Sequence, residues 1–182
     1  PYWVSYPDIA LLAEGTPITP YAGPEQGYKI TPAQLEAAIT PKTRLFMLNS
    51  PSNPTGAAYT SAELHGLGAV LRRHPDVLVV TDDMYEHIYW AKEPFASFLT
   101  ACPDFYGRTI TINGVSKSYA MTGWRIGYCG GPATIVDAMS TIQSQSTSNP
   151  SSIAQKAAVV ALNGDQSCVA EMNKHFKARH DY

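Results

Sequence analysis

Short apolar runs alternate with helix-period stretches along most of the chain. Residues 44–49 (RLFMLN) form a brief apolar run halted by SPSNPTG, the pattern of a buried strand emptying into a loop. Thr60-Ser61-Ala62-Glu63 then opens a helix, with Thr60 as N-cap and Glu63 placed three residues on. That helix is expected to run to about His74, where Pro75 stops it. Residues 77–81 (VLVVT) read as a second buried strand ending on Asp82-Asp83, residues 108–112 as a third and 124–129 as a fourth. Residues 132–145 and 152–163 read as helices, the first with proline at its start and the second closed by Gly164.

Strand and helix in alternation predict an α/β fold, a largely parallel mixed sheet sandwiched by helices. Such sheets place ligands at the carboxyl ends of their strands. Here those ends carry Asn53, Asp82, Tyr85 and Lys117, so four polar groups converge on one expected edge.

Composition narrows the partners. Across 182 residues, 45% hydrophobic and 15% charged suit a globular chain with a real core. A net charge of −2 gives no electrostatic reason to expect nucleic acid or an anionic membrane surface. No apolar run reaches the roughly 18 residues of a membrane span. Three scattered cysteines without CxxC spacing fit a reducing, cytoplasmic setting rather than a disulfide framework, and no metal site is expected. The chain begins at Pro1, its first methionine is Met47, and its end (KHFKARHDY) reads as an interrupted helix, so it is read as a segment of something larger.

The candidate chemistry centres on NGVSKSYAMTGWRIGY, residues 113–128. A lysine among small residues becomes a nucleophile where its amine is partly desolvated or lies near positive charge, which Arg125 could supply. The guanidinium fork of Arg125 also suits a phosphate dianion. Asp82 ends an apolar strand, where a carboxylate needs a cation or a donor; a protonated ring nitrogen is one such partner, and capping of a following helix is another. Singly, each residue has a plainer reading: Lys117 as a surface lysine, Asn53 as turn chemistry, Tyr85 and Trp3 as packing aromatics.

In combination, SPSNPTG, TDDMYEHIYW and NGVSKSYAMTGWRIGY resemble the signature segments of fold-type I pyridoxal-phosphate aminotransferases. The similarity is strongest to the aspartate aminotransferase family of class I, in the bacterial aspartate/prephenate branch, and extends from PYWVSYPD through QSQSTSNPSSIAQ to the final helix. It implies the large pyridoxal-phosphate-binding domain of that fold, a three-layer α/β/α arrangement, over residues 1–165. Residues 166–182 would begin the helix leading to a small C-terminal domain. By the same resemblance Lys117 would hold the cofactor aldehyde as a Schiff base and then act as general base. Asp82 would pair with the pyridine nitrogen, while Tyr85 and Asn53 would donate to the phenolic oxygen. Ser116 and Arg125 would bind the phosphate, Trp3 would lie against the ring, and the Asn53–Pro54 bond would be cis.

Two positions depart from the family pattern. Gly114 stands where some members carry a phosphate-binding serine, and Asp83 where glutamate is common in this branch, with little consequence expected of the second. The family's glycine-rich phosphate loop, a tyrosine from the partner subunit and the arginine that grips the substrate carboxylate find no counterpart here, so the isolated segment is expected to be inactive. The implied activity is amino transfer between an amino acid, aspartate foremost, and a 2-oxo acid such as 2-oxoglutarate, by a homodimer. Aromatic or prephenate transamination, and a ligand-sensing domain of a transcription regulator, are the alternatives.

Overall fold

The computed structural model describes residues 1–182. Its centre is a four-stranded sheet in the order β1 (Leu45–Asn49), β2 (Leu78–Asp82), β3 (Thr109–Gly114), β4 (Gly127–Gly130). The first three strands are parallel and β4 runs antiparallel to β3. Seven α-helices accompany it: α1 (Ser5–Leu12), α2 (Pro32–Ala38), α3 (Ser61–Leu71), α4 (Phe98–Ala101), α5 (Ala133–Ser144), α6 (Ser152–Asn163) and α7 (Ser167–Asp181). Helices flank a mixed, mostly parallel sheet, as the alternating pattern predicts.

Helix α3 forms for the reason its sequence suggests. The Thr60 hydroxyl accepts from the Glu63 N–H at 3.3 Å while the Glu63 carboxylate accepts from the Thr60 N–H at 2.7 Å, so two otherwise orphaned donors are satisfied. Leu64, Leu67, Val70 and Leu71 follow at helical spacing and are all buried, each apolar side chain contributing roughly 1.5–3 kcal/mol. They join Val79, Phe98 and Phe105 in the main core. A smaller core of Val115, Ile126, Ala154 and Ala158 forms where α6 packs.

The α3 helix ends at Leu71, three residues short of the expected His74, because its last turn tightens: Arg73 N–H bonds to Val70 and His74 N–H to Leu71. Arg108 then gathers the loose carbonyls, donating to Leu71, His74 and Val77, each at 2.8 Å, with its guanidinium 4.2 Å from the Phe105 ring centroid. The expected strand over 124–129 is also corrected. Thr122–Trp124 is a 3₁₀ turn and Arg125 adopts φ +53°, a left-handed conformation that cannot continue a strand, so β4 starts only at Gly127. No helix is long and apolar enough to cross a membrane.

Candidate active site

Asn49, the last residue of β1, lies in register with Asp82, the last of β2, which in turn pairs with Ile112 of β3. Its side chain works in two directions. The amide donates to the Asp82 carbonyl at 2.9 Å, and the amide oxygen accepts from the Asn53 N–H at 2.8 Å. This clamp seats the SPSNPTG loop on the end of β2 and sets Asn53 near Asp82. Within the loop the Asn53–Pro54 bond is cis, as the resemblance implies, and so is Ser50–Pro51.

Asp82 does not cap a helix. The chain after it makes a turn, in which Glu86 N–H bonds to the Asp83 carbonyl and Ile88 N–H to that of Tyr85. One Asp82 oxygen accepts from the Met84 N–H at 3.2 Å; the other accepts from the Tyr6 hydroxyl at 2.6 Å. Burial, reinforced by the Asp82 carboxylate, drives the Tyr6 phenol well above its ordinary range, so the hydroxyl remains a donor. No local pattern in the sequence marks Tyr6 as this partner. The strand-ending acid signalled that some donor was needed, but the one supplied is 76 residues away on α1. Trp3 meets Tyr6 edge-on, ring centroids 5.4 Å apart at 86°, and at 42% exposed it is an open face rather than a core aromatic.

Beyond β3 the chain turns at once, Tyr119 N–H bonding to the Val115 carbonyl and Ala120 N–H to that of Lys117. This turn sets the Lys117 Nζ 5.7 Å from the centroid of the Tyr85 ring. The structure thus joins Trp3, Tyr6, Asp82 and Asn53 in one chain of contacts and Tyr85 with Lys117 in another. Ser116 sits half-buried beside the lysine. Arg125 is exposed and donates to the Thr122 carbonyl at 2.8 Å, with no hydrogen bond or ion pair to the other candidate residues. At Gly114 a Cβ would stand 3.0 Å from the Ile126 carbonyl oxygen and 3.2 Å from the Gly127 Cα. A side chain there would require the neighbouring backbone to give by a few tenths of an ångström.

Next to Asp82 stands a buried acid, Asp83. It is 5% exposed, and burial pushes its carboxyl up to about 7 from the ordinary 3.8, with the charges of Glu86 and Asp82 adding and the nearby Thr81 hydroxyl opposing. Between about pH 4 and 7 the folded chain therefore keeps a proton that the unfolded chain has released. Stability falls as pH rises across that window and levels off above it, by on the order of 4 kcal/mol. In Asp83→Asn that fall is expected to shrink by most of this amount, read as urea unfolding free energies at pH 4.5 and 8. An undiminished fall would assign the titration to another group.

The family model described as aminotransferase class I and II matches residues 1–182. The chain therefore belongs to the class I and II aminotransferase family. It is 62% identical over 182 residues to the aspartate/prephenate aminotransferase of Nitrosomonas europaea, an alignment covering 100% of this chain and 46% of that protein. Among solved structures it matches the aspartate aminotransferase from Rhizobium meliloti with a TM-score of 0.96 and 52% identity, over 99% of this chain and 45% of the other. The aromatic aminotransferase from Pyrococcus horikoshii OT3 matches with a TM-score of 0.94 and 34% identity, over 99% and 48%. The chain spans about half the length of the curated relatives it matches.

Proposed function

We propose that the protein is a pyridoxal 5'-phosphate-dependent aminotransferase that moves an amino group between aspartate and 2-oxoglutarate. The observation that carries this reading is the Lys117 amine held 5.7 Å from the Tyr85 ring, on the sheet edge where β2 ends in the Asp82 carboxylate. The donor set suits the cofactor: an amine for its aldehyde, a carboxylate for its ring nitrogen, a phenol and an amide for its phenolic oxygen, a guanidinium for its phosphate. Once bound, pyridoxal phosphate would supply an electron sink for the charge left when the amino acid's Cα–H bond breaks.

The chain's own residues do the rest. Lys117 Nζ would take up the Cα proton as general base and give it back as general acid. Asp82 would pair with the ring nitrogen, its two oxygens held in place by the hydrogen bonds from Tyr6 and the Met84 N–H. Tyr85 and Asn53 would donate to the phenolic oxygen, Ser116 and Arg125 would hold the phosphate, and Trp3 would cover one ring face. Residues 1–165 act as part of a large cofactor-binding domain and 166–182 begin the helix toward a smaller one. The protein works in the cytoplasm as a homodimer. Helices α1 and α5, which bury no residue and expose Ile9, Leu12 and Ile142, support a partner surface.

A second reading, amino transfer to prephenate or an aromatic 2-oxo acid, rests on the similarity to the aspartate/prephenate aminotransferase of Nitrosomonas europaea and the aromatic aminotransferase from Pyrococcus horikoshii OT3. A ligand-sensing role in a transcription regulator has no such support. The test is transamination by the holoenzyme from aspartate, with 2-oxoglutarate and prephenate offered in turn. Faster transfer to 2-oxoglutarate is expected. Faster transfer to prephenate would favour the second reading, and no transfer to any 2-oxo acid would overturn both.

A further inference from the structure

The turn that carries Tyr85 is fastened to the strand that launches Lys117. Asn113, near the end of β3 and 9% exposed, donates its side-chain amide to a Glu86 carboxylate oxygen at 2.6 Å. Its amide oxygen accepts from the Gly114 N–H at 2.7 Å, so the side chain cannot rotate without breaking both bonds. Glu86 is the residue after Tyr85, and Asn113 lies four positions before Lys117. The parallel pairing continues beside them, with Asp83 N–H bonding to the Ile112 carbonyl at 2.9 Å. A half-buried carboxylate one residue beyond Tyr85, accepting a short bond from a buried amide, is more than a solvated turn requires.

Several titratable groups surround this bond. His87 Nε2 lies 3.4 Å from the same Glu86 oxygen, buried Asp83 feels the Glu86 charge, and that charge raises the phenols of Tyr119 and Tyr128 beyond what their burial does. Glu86 is therefore the centre of a polar cluster beside Tyr85, none of whose members is hydrogen-bonded or ion-paired to Lys117.

We infer that Asn113 and Glu86 are positioning residues, and that the hydrogen bond between them sets the separation of Tyr85 from Lys117. The inference rests on the proposed cofactor reading: Tyr85 acts on a group attached to Lys117 only while the two segments stay in place. A donor aimed at that group stabilises its deprotonated form, so loosening the brace raises the pKa of the lysine-linked chromophore. A neutral amide at position 86 still accepts from Asn113, which separates hydrogen bonding from charge.

The experiment is a spectrophotometric pH titration of the pyridoxal-phosphate-loaded protein, with kcat and KM for aspartate measured alongside. In Asn113→Leu and Glu86→Leu the chromophore pKa is expected to rise by about one unit and kcat to fall about tenfold with KM little changed. Glu86→Gln is expected to titrate within a few tenths of the wild type. In a Tyr85→Phe background, adding Asn113→Leu should shift the titration no further, because the brace acts through the tyrosine hydroxyl. An equal shift in that background, or an unmoved titration in Glu86→Leu, overturns the inference. A wild-type protein with no lysine-linked chromophore would instead overturn the cofactor reading itself. If Asn113→Leu does not fold, the partly exposed Glu86 carries the test from the other end of the same bond.

Discussion

Lys117→Ala is expected to lose transamination by a factor on the order of 10⁴ or more, together with the visible absorbance of lysine-linked pyridoxal phosphate. The size follows from two duties resting on one atom. In the proposed reading the Lys117 amine would be both the attachment point for the cofactor and the group that carries the proton between carbons. The neighbouring side chains offer no substitute: Ser116 and Ser118 are weak bases, and the Tyr85 phenol faces the lysine with its ring, 5.7 Å from Nζ to the centroid. The measurement is steady-state turnover with aspartate and 2-oxoglutarate, beside an absorbance spectrum. Turnover within tenfold of wild type would remove Lys117 from the mechanism, whatever the spectrum shows.

Asp82→Ala is expected to keep bound cofactor while turnover drops by roughly 10³, the scale of losing one preorganised electrostatic partner. Cofactor would be retained because the proposed attachment at Lys117 and the proposed phosphate contacts of Ser116 and Arg125 lie on another segment. Turnover would fall because the ring nitrogen would lose the carboxylate proposed to keep it protonated. The substitution also frees the Tyr6 hydroxyl and the Met84 N–H, both of which bond to Asp82. Asp82→Asn is the informative companion, since it retains the shape and removes the charge. Equal turnover in wild type and Asp82→Asn would show that the assignment to the ring nitrogen is wrong.

The parts of the fold that could be read in the sequence are those whose cause is local. The Thr60–Glu63 capping box, the stripe of buried leucines in α3 and the apolar strands stopped by SPSNPTG and Asp82 each lie within a dozen residues. The capping box of α2, between Thr31 and Gln34, follows the same rule. It is harder to read because Leu35 is the only buried residue of that helix and leaves no stripe. Helix α1 buries nothing and so carries no amphipathic signal. At the site, the motifs carry the candidate residues but not their contacts. The Tyr6–Asp82 bond joins positions brought together only by the tertiary fold. The raised carboxyl of Asp83 comes from burial, which a sequence pattern does not measure.

Gly114 lets two segments of the chain close on one another. It pairs with Gly127, and a Cβ at position 114 would meet the Ile126 carbonyl oxygen and the Gly127 Cα, so any side chain there requires that backbone to give by a few tenths of an ångström. The bare glycine thus keeps Arg125, two residues before Gly127, and Lys117, three residues after Gly114, on segments that meet at one close pairing.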